Sequence, residues 1–127
     1  MEILIKTSHG ILRAAITKDK NPKTATFVEK SLPIRGKTNR WGDEIYFEVP
    51  LELEEENPQQ DVEIGDIAYW PSGKAICIFF GKTPISTSNK PRAYSPVNVF
   101  GKIKSKNLKI LKKVKDGEEI IIQKSKH

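Results

Sequence analysis

VEIGDIAYWPSGKAICIFFGKTP, residues 62–84, decides how the rest of the chain is read. It holds two short apolar runs, 66–70 and 75–80, joined by Pro71-Ser72-Gly73. Proline presets φ and glycine tolerates φ > 0, so the trio predicts a hairpin turn between two strands. The second run, AICIFF, is apolar at six consecutive positions. A run that short and rich in β-formers predicts a strand buried on both faces. Such a strand needs cover on each side, and the remaining segments must wrap it. The expectation is a closed or nearly closed β structure.

Upstream, EIYFEV (44–49) alternates, with Ile45, Phe47 and Val49 on one face and Glu44, Tyr46 and Glu48 on the other. That pattern predicts a half-buried strand. IRGKTNR (34–40) fits a strand or a loop. Residues 2–7 and 11–17 flank Ser8-His9-Gly10 and predict an antiparallel hairpin. Between these segments Asn21 is placed to cap a helix whose first residue, Pro22, lacks only an N–H that would have no partner. Ala25, Val28 and Leu32 recur at helical spacing, with Phe27 widening the stripe. Pro33 disfavours helical geometry at Leu32, so the helix stops near Ser31. It is expected across one open end of the barrel.

Downstream, residues 83–95 (TPISTSNKPRAYS) show no periodicity and predict a long irregular loop, a kind that is often functional. VNVFGKI (97–103) predicts a strand with Gly101 at a bulge. Residues 108–114 and 119–123 flank Asp116-Gly117 and predict a last hairpin. The expected whole is one mainly β domain over 1–123: an eight-stranded antiparallel barrel, closed or nearly so, with one or two short helices. Residues 124–127 read as a disordered tail.

With 127 residues the chain can bury a core without disulfide or metal support. Its one cysteine, Cys77, lies in the most apolar run and reads as a small buried hydrophobe. No apolar stretch reaches membrane-spanning length and no signal peptide opens the chain, so the expected location is cytoplasmic and reducing. Charge is uneven within a net +6. Residues 43–66 carry ten acids and no Lys or Arg, whereas 102–126 carry nine lysines and three acids. The basic tract lacks interleaved aromatics for base stacking, which argues against nucleic acid as a partner. The carboxylates of Glu48, Glu52, Glu54, Glu55 and Glu56 lack the spacing and glycine of a calcium loop. His9 sits at a turn tip with no partner ligand nearby in sequence, and no phosphate loop or Ser–His pairing occurs. No metal or cofactor is implied, and no oligomeric state is set.

Three segments, in order, resemble cyclophilins. They are Gly10-Ile11-Leu12 through Asn21-Pro22-Lys23-Thr24 and Phe27, then Gly65-Asp66-Ile67 followed by Phe79-Phe80, then Val99-Phe100-Gly101-Lys102-Ile103. The chain is more similar still to a small cyclophilin-like family of archaea and bacteria. That likeness rests on Trp41-Gly42-Asp43-Glu44-Ile45-Tyr46-Phe47, Gly65-Asp66 with Tyr69-Trp70-Pro71, and Phe79-Phe80-Gly81 with Thr83-Pro84. The resemblance implies an eight-stranded cyclophilin-like barrel and attaches no agreed activity to it.

Prolyl isomerases of the cyclophilin type carry a Phe-His-Arg motif after the first helix, and its arginine is the key group. No Phe-His-Arg occurs here, and Arg40 is the only arginine nearby. Counted from Phe100-Gly101, the family's pocket tryptophan falls at Arg92 and its histidine at Val97. Its glutamine falls at Ile78, and only Phe80 keeps its kind. The expectation is therefore a binding module for a peptide or small molecule with weak or no isomerase activity, its pocket drawn from Arg40, Tyr46, Trp70, Phe80 and Arg92. One alternative is an isomerase that uses Arg40 or Arg92 as donor. Another is a protein that contacts nucleic acid through its lysine-rich tract.

Overall fold

A computed structural model of the chain describes residues 1–126. Strands β1 (Glu2–Thr7) and β2 (Gly10–Ile16) form the first hairpin, in register from Glu2 opposite Ala15 to Thr7 opposite Gly10. Helix α1 (Pro22–Ser31) follows, with Thr24, Ala25 and Val28 on its buried face. Asn21 does not cap it through its side chain. That side chain is fully buried and ties two other segments together: Nδ2 donates to the Val99 carbonyl (2.8 Å) and Oδ1 accepts from the Asn57 N–H (2.7 Å). The helix N-terminus is closed instead by Glu56, whose carboxylate accepts from the Lys23 and Thr24 N–H groups at 3.1 and 3.0 Å. An anion there satisfies free N–H groups and opposes the helix dipole. Phe27, expected in the apolar stripe, is 54% exposed because the buried face is only three residues wide.

Strands β3 (Ile34–Lys37), β4 (Asn39–Arg40) and β5 (Glu44–Glu48) come next, then β6 (Gln59–Asp61). The central hairpin is β7 (Asp66–Trp70) and β8 (Ala75–Phe79), joined by a 3-10 turn over Pro71–Gly73. The turn's positive φ falls on Lys74 (49°), not on Gly73. Gly73 is required for another reason: a Cβ there would collide with the Trp70 ring. Strand β8 is buried throughout. Ile76 and Ile78 point into the main core with Ile5, Phe47 and Phe100, while Cys77 and Phe79 join a second cluster with Val62, Ala93 and Val97. Alternation of side chains across the strand thus feeds two apolar layers.

Strand β9 runs twelve residues, Arg92–Ile103, taking in the end of the segment expected as a loop. Its pairing with β7 slips between Gly101 and Val99, which puts the extra residue of the bulge at Phe100. Residues 108–114 are not a strand. They hold helix α2 (Lys109–Lys112), since Leu108, Leu111 and Val114 recur every third residue and the last two are buried. Strand β10 (Glu119–Lys124) reaches one residue into the expected 124–127 tail, and the Ser125 N–H then donates to the Glu2 carbonyl. His127 lies outside the described residues. Among the described residues no helix is long and apolar enough to cross a membrane.

The sheet is antiparallel and ordered β3-β10-β1-β2-β9-β7-β8-β5-β4, with β6 paired to β9 off that path. It has ten strands rather than eight and it is not closed. Its two edges, β3 and β4, are successive in sequence, separated only by Thr38. They are four and two residues long, and β3 is committed to β10 while β4 is committed to β5. Packing spans the seam where hydrogen bonding does not: a Cβ on Gly36 would come within 2.6 Å of the Phe47 ring.

Candidate functional site

The second apolar cluster opens to solvent as a cleft of about 220 Å³. Four aromatic side chains wall it. Trp41 comes from the turn before β5, Tyr46 from β5, Trp70 from the end of β7 and Tyr94 from β9. Cys77, Ala93 and Val97 lie beneath, with Glu44 and Ser95 beside them. Local sequence explains the convergence. Glu44 and Tyr46 are two residues apart on β5 and share a face. Tyr46 is in register with Cys77 on β8. The Trp41–Glu44 turn is closed by two backbone hydrogen bonds, of 3.0 and 3.2 Å, and passes through Gly42 at φ 62°. A side chain at Gly42 would also strike the Lys82 carbonyl (2.9 Å), so glycine alone fits.

The rings form a chain of edge contacts. Trp41 meets Tyr94 at 5.9 Å, Tyr94 meets Trp70 at 6.0 Å, and Trp70 meets Tyr46 at 5.9 Å, with interplanar angles of 78°, 74° and 84°. Such perpendicular pairs are favoured by the ring quadrupole. Trp70 is further fixed by its indole N–H, which donates to Ser95 Oγ at 2.6 Å, and by its seat on Gly73. Tyr94 stands at the mouth, 68% exposed.

Glu44 is only 5% exposed, and its Oε1 has no hydrogen-bond partner. Burial pushes its pKa up to about 7, with the Cys77 thiol beside it acting weakly the other way. Burial, and then the neighbouring Glu44, holds the Cys77 thiol well above its ordinary value, so it is no nucleophile at neutral pH. No Lys, Arg or His is among the residues lining the cleft. Among the described residues no three His, Cys, Asp or Glu side chains converge as a metal site.

The five residues expected to form one pocket are split three ways. Tyr46 and Trp70 meet in the cleft. Phe80 lies in the main core, 4% exposed, with the Arg40 guanidinium 5.1 Å from its ring centroid. Every N–H of that guanidinium is engaged. Nε and one terminal nitrogen donate to the Gly42 carbonyl, the other to the Lys112 and Val114 carbonyls, and a fifth contact reaches Asp43. Arg40 is a clamp between the β4–β5 turn and the end of α2. Arg92 pairs with Asp61 (2.8 Å) and Gln60 (3.2 Å) and does not line the cleft. Sequence reasoning passes over Trp41, Glu44, Cys77 and Tyr94 as site residues. Its available signal is the run WGDEIYF, where an acid opens an alternating strand between two aromatics.

Comparison with known proteins places this architecture. The family model described as Cyclophilin-like matches residues 1–123. No curated protein matches the chain. Among solved structures it is similar to the hypothetical protein AF2241 from Archaeoglobus fulgidus, known from a solution structure. The two are 41% identical over 98% of this chain and 95% of that one, with a TM-score of 0.82. It is also similar in fold to McbB, solved in complex with tryptophan, at 14% identity and a TM-score of 0.75. That match takes in 98% of this chain but only 45% of McbB. The chain belongs to the cyclophilin-like family.

Proposed function

We propose that the protein binds a small molecule in the aromatic cleft and does not catalyse prolyl isomerisation. The observation that carries the first half is Glu44, a carboxyl group sunk beneath aromatic walls with one oxygen unpartnered. Buried polar atoms are otherwise paired in folded chains, because an unmade hydrogen bond costs about 1–3 kcal/mol. A group left in that state at the base of a concave apolar cleft is the mark of a binding site. The cleft's size, about 220 Å³, suits one small molecule rather than a length of peptide. That one protein of the same fold, McbB, has been solved with tryptophan supports the same choice. The single, buried Cys77 suits a reducing, cytoplasmic setting.

The second half follows from Arg40. Turning an X–Pro bond crosses a barrier of about 18–20 kcal/mol, and a catalyst must offer the twisted amide a free donor in a partly dry pocket. The Arg40 donors are taken up by backbone carbonyls and Asp43, and the Phe80 ring it covers is closed to solvent. Arg92 is held by Asp61 and Gln60. A protease-free isomerase assay on Ala-Pro peptides tests this. The expected rate with the protein equals the uncatalysed rate. A rate enhancement that disappears in a folded Arg40→Ala or Arg92→Ala variant would overturn it.

A further inference from the structure

We propose that the cleft is a receptor site for a small organic ammonium ion, its N–H groups donating to Glu44 and its charge lying against the surrounding rings. This rests on the small-ligand reading of the same cleft and names the chemistry it selects.

Three observations converge. First, Glu44 is an acid without a counter-charge. It is 5% exposed, Oε1 is unpartnered, and the cleft's other titratable groups are Cys77 on β8, Tyr46 on β5 and Tyr94 on β9, none of them cationic. A buried carboxylate is tolerated when a cation joins it, and here that cation must come from outside. Second, the walls are electron-rich. Consecutive rings stand at 74–84° to one another, so a ligand between them meets ring faces as well as edges. The negative ring face attracts a cation and is indifferent to a neutral group of equal size. Third, Glu44 and Tyr46 lie in the segment 43–66, which has ten acids and no Lys or Arg. That segment draws cations and repels anions. An anionic ligand would meet no positive side chain in the cleft.

The protein reports on its own site, because its two tryptophans, Trp41 and Trp70, both line the cleft. Intrinsic fluorescence is followed during titration with benzylamine and with benzyl alcohol, in phosphate buffer at pH 8. Benzylamine is expected to bind at least ~10-fold tighter than the alcohol. Glu44→Gln should remove most of that preference and leave the amine ahead only by the several-fold that the rings supply, since only the carboxylate charge is removed. With Glu44 titrating at about 7, its ionised fraction drops roughly 10-fold between pH 8 and pH 6. Amine affinity should follow, while alcohol affinity stays flat. Tyr94→Leu keeps apolar cover at an exposed position and removes a ring, so it should weaken the amine several-fold and the alcohol little. It also serves if Glu44→Gln fails to fold. Equal affinity for amine and alcohol in the wild type would overturn the ammonium proposal and leave the small-ligand reading standing. A fluorescence response to neither probe at tens of millimolar would overturn both.

Discussion

Glu44 gives the most exacting test of this structure, through stability rather than binding. Its carboxyl group rises from an ordinary value of 4.5 to about 7 in the folded chain, chiefly by burial. At about 1.4 kcal/mol per pH unit, that separation amounts to about 3.5 kcal/mol at most. Between the two values the folded state holds a proton that the unfolded state has released. Stability therefore falls as pH rises through the range from 4.5 to 7, and the loss levels off about one pH unit above 7. Glu44→Gln is never charged and escapes the loss. The amide brings its own packing change, but that change is the same at every pH, so the quantity to read is how the gap between variant and wild type moves. Urea denaturation is followed from about pH 5 to about pH 8. Over that window the gap should shift in favour of the Glu44→Gln variant by about 2.5 kcal/mol, or roughly 10 °C in Tm for a chain of this size. Carboxylates held low elsewhere, such as Glu56 and Glu118, titrate alike in both proteins and cancel. Parallel pH profiles would mean that Glu44 is wet and ordinary, and the picture of the cleft would fall with it.

Three further substitutions probe the frame around the site. Arg40→Lys keeps the charge but not the planar fork that reaches three carbonyls, so urea midpoints should report a loss of about 2–3 kcal/mol. Glu56→Ala uncovers the start of α1 and should cost about 1–2 kcal/mol at neutral pH, a cost that vanishes in acid as the wild-type carboxylate is protonated. Gly73→Ala would drive a methyl group into the Trp70 ring, so near-UV circular dichroism and emission should both change and stability should drop by about 1–3 kcal/mol.

Much of this arrangement is legible in the sequence where a signal is local. The Pro71-Ser72-Gly73 turn, the both-faces burial of AICIFF and the helix opening at Pro22 follow from nearest neighbours along the chain, and each stands in the fold. The site is legible only in part. Alternation puts Glu44 and Tyr46 on one face of β5, and it treats that face as wet. What dries it is β9, paired with β7 and contributing Ala93 and Val97 to the cleft lining. Residues 92–95 of β9 read as loop, because Arg-Ala-Tyr-Ser has no period of its own. Residues 108–114 read as a hairpin arm because of the Asp116-Gly117 turn beside them, and the packing of Leu111 and Val114 under the fold makes the segment α2 instead. The expected closure of the barrel fails because the two edges, β3 and β4, are consecutive with only Thr38 between them, which leaves no room for a turn to fold one back on the other, a matter of connection that a hydrophobic pattern does not carry.

Strand β1 has β2 on one side and β10 on the other. One flank is assembled across a two-residue turn, while the other pairs Ile5 with Ile122. Half of its backbone bonding must therefore wait for a loop spanning nearly the whole described chain to close, and the entropy of that closure is lost before any pairing offsets it. Refolding should be slow on the scale of domains this small, on the order of milliseconds to seconds, like other sheets built from distant pairings. Until β10 arrives, β1 presents an unpaired edge bearing Ile3 and Ile5, which are wholly buried once the sheet is complete. The interval before that last strand docks is when this chain is most open to sticking to its own copies.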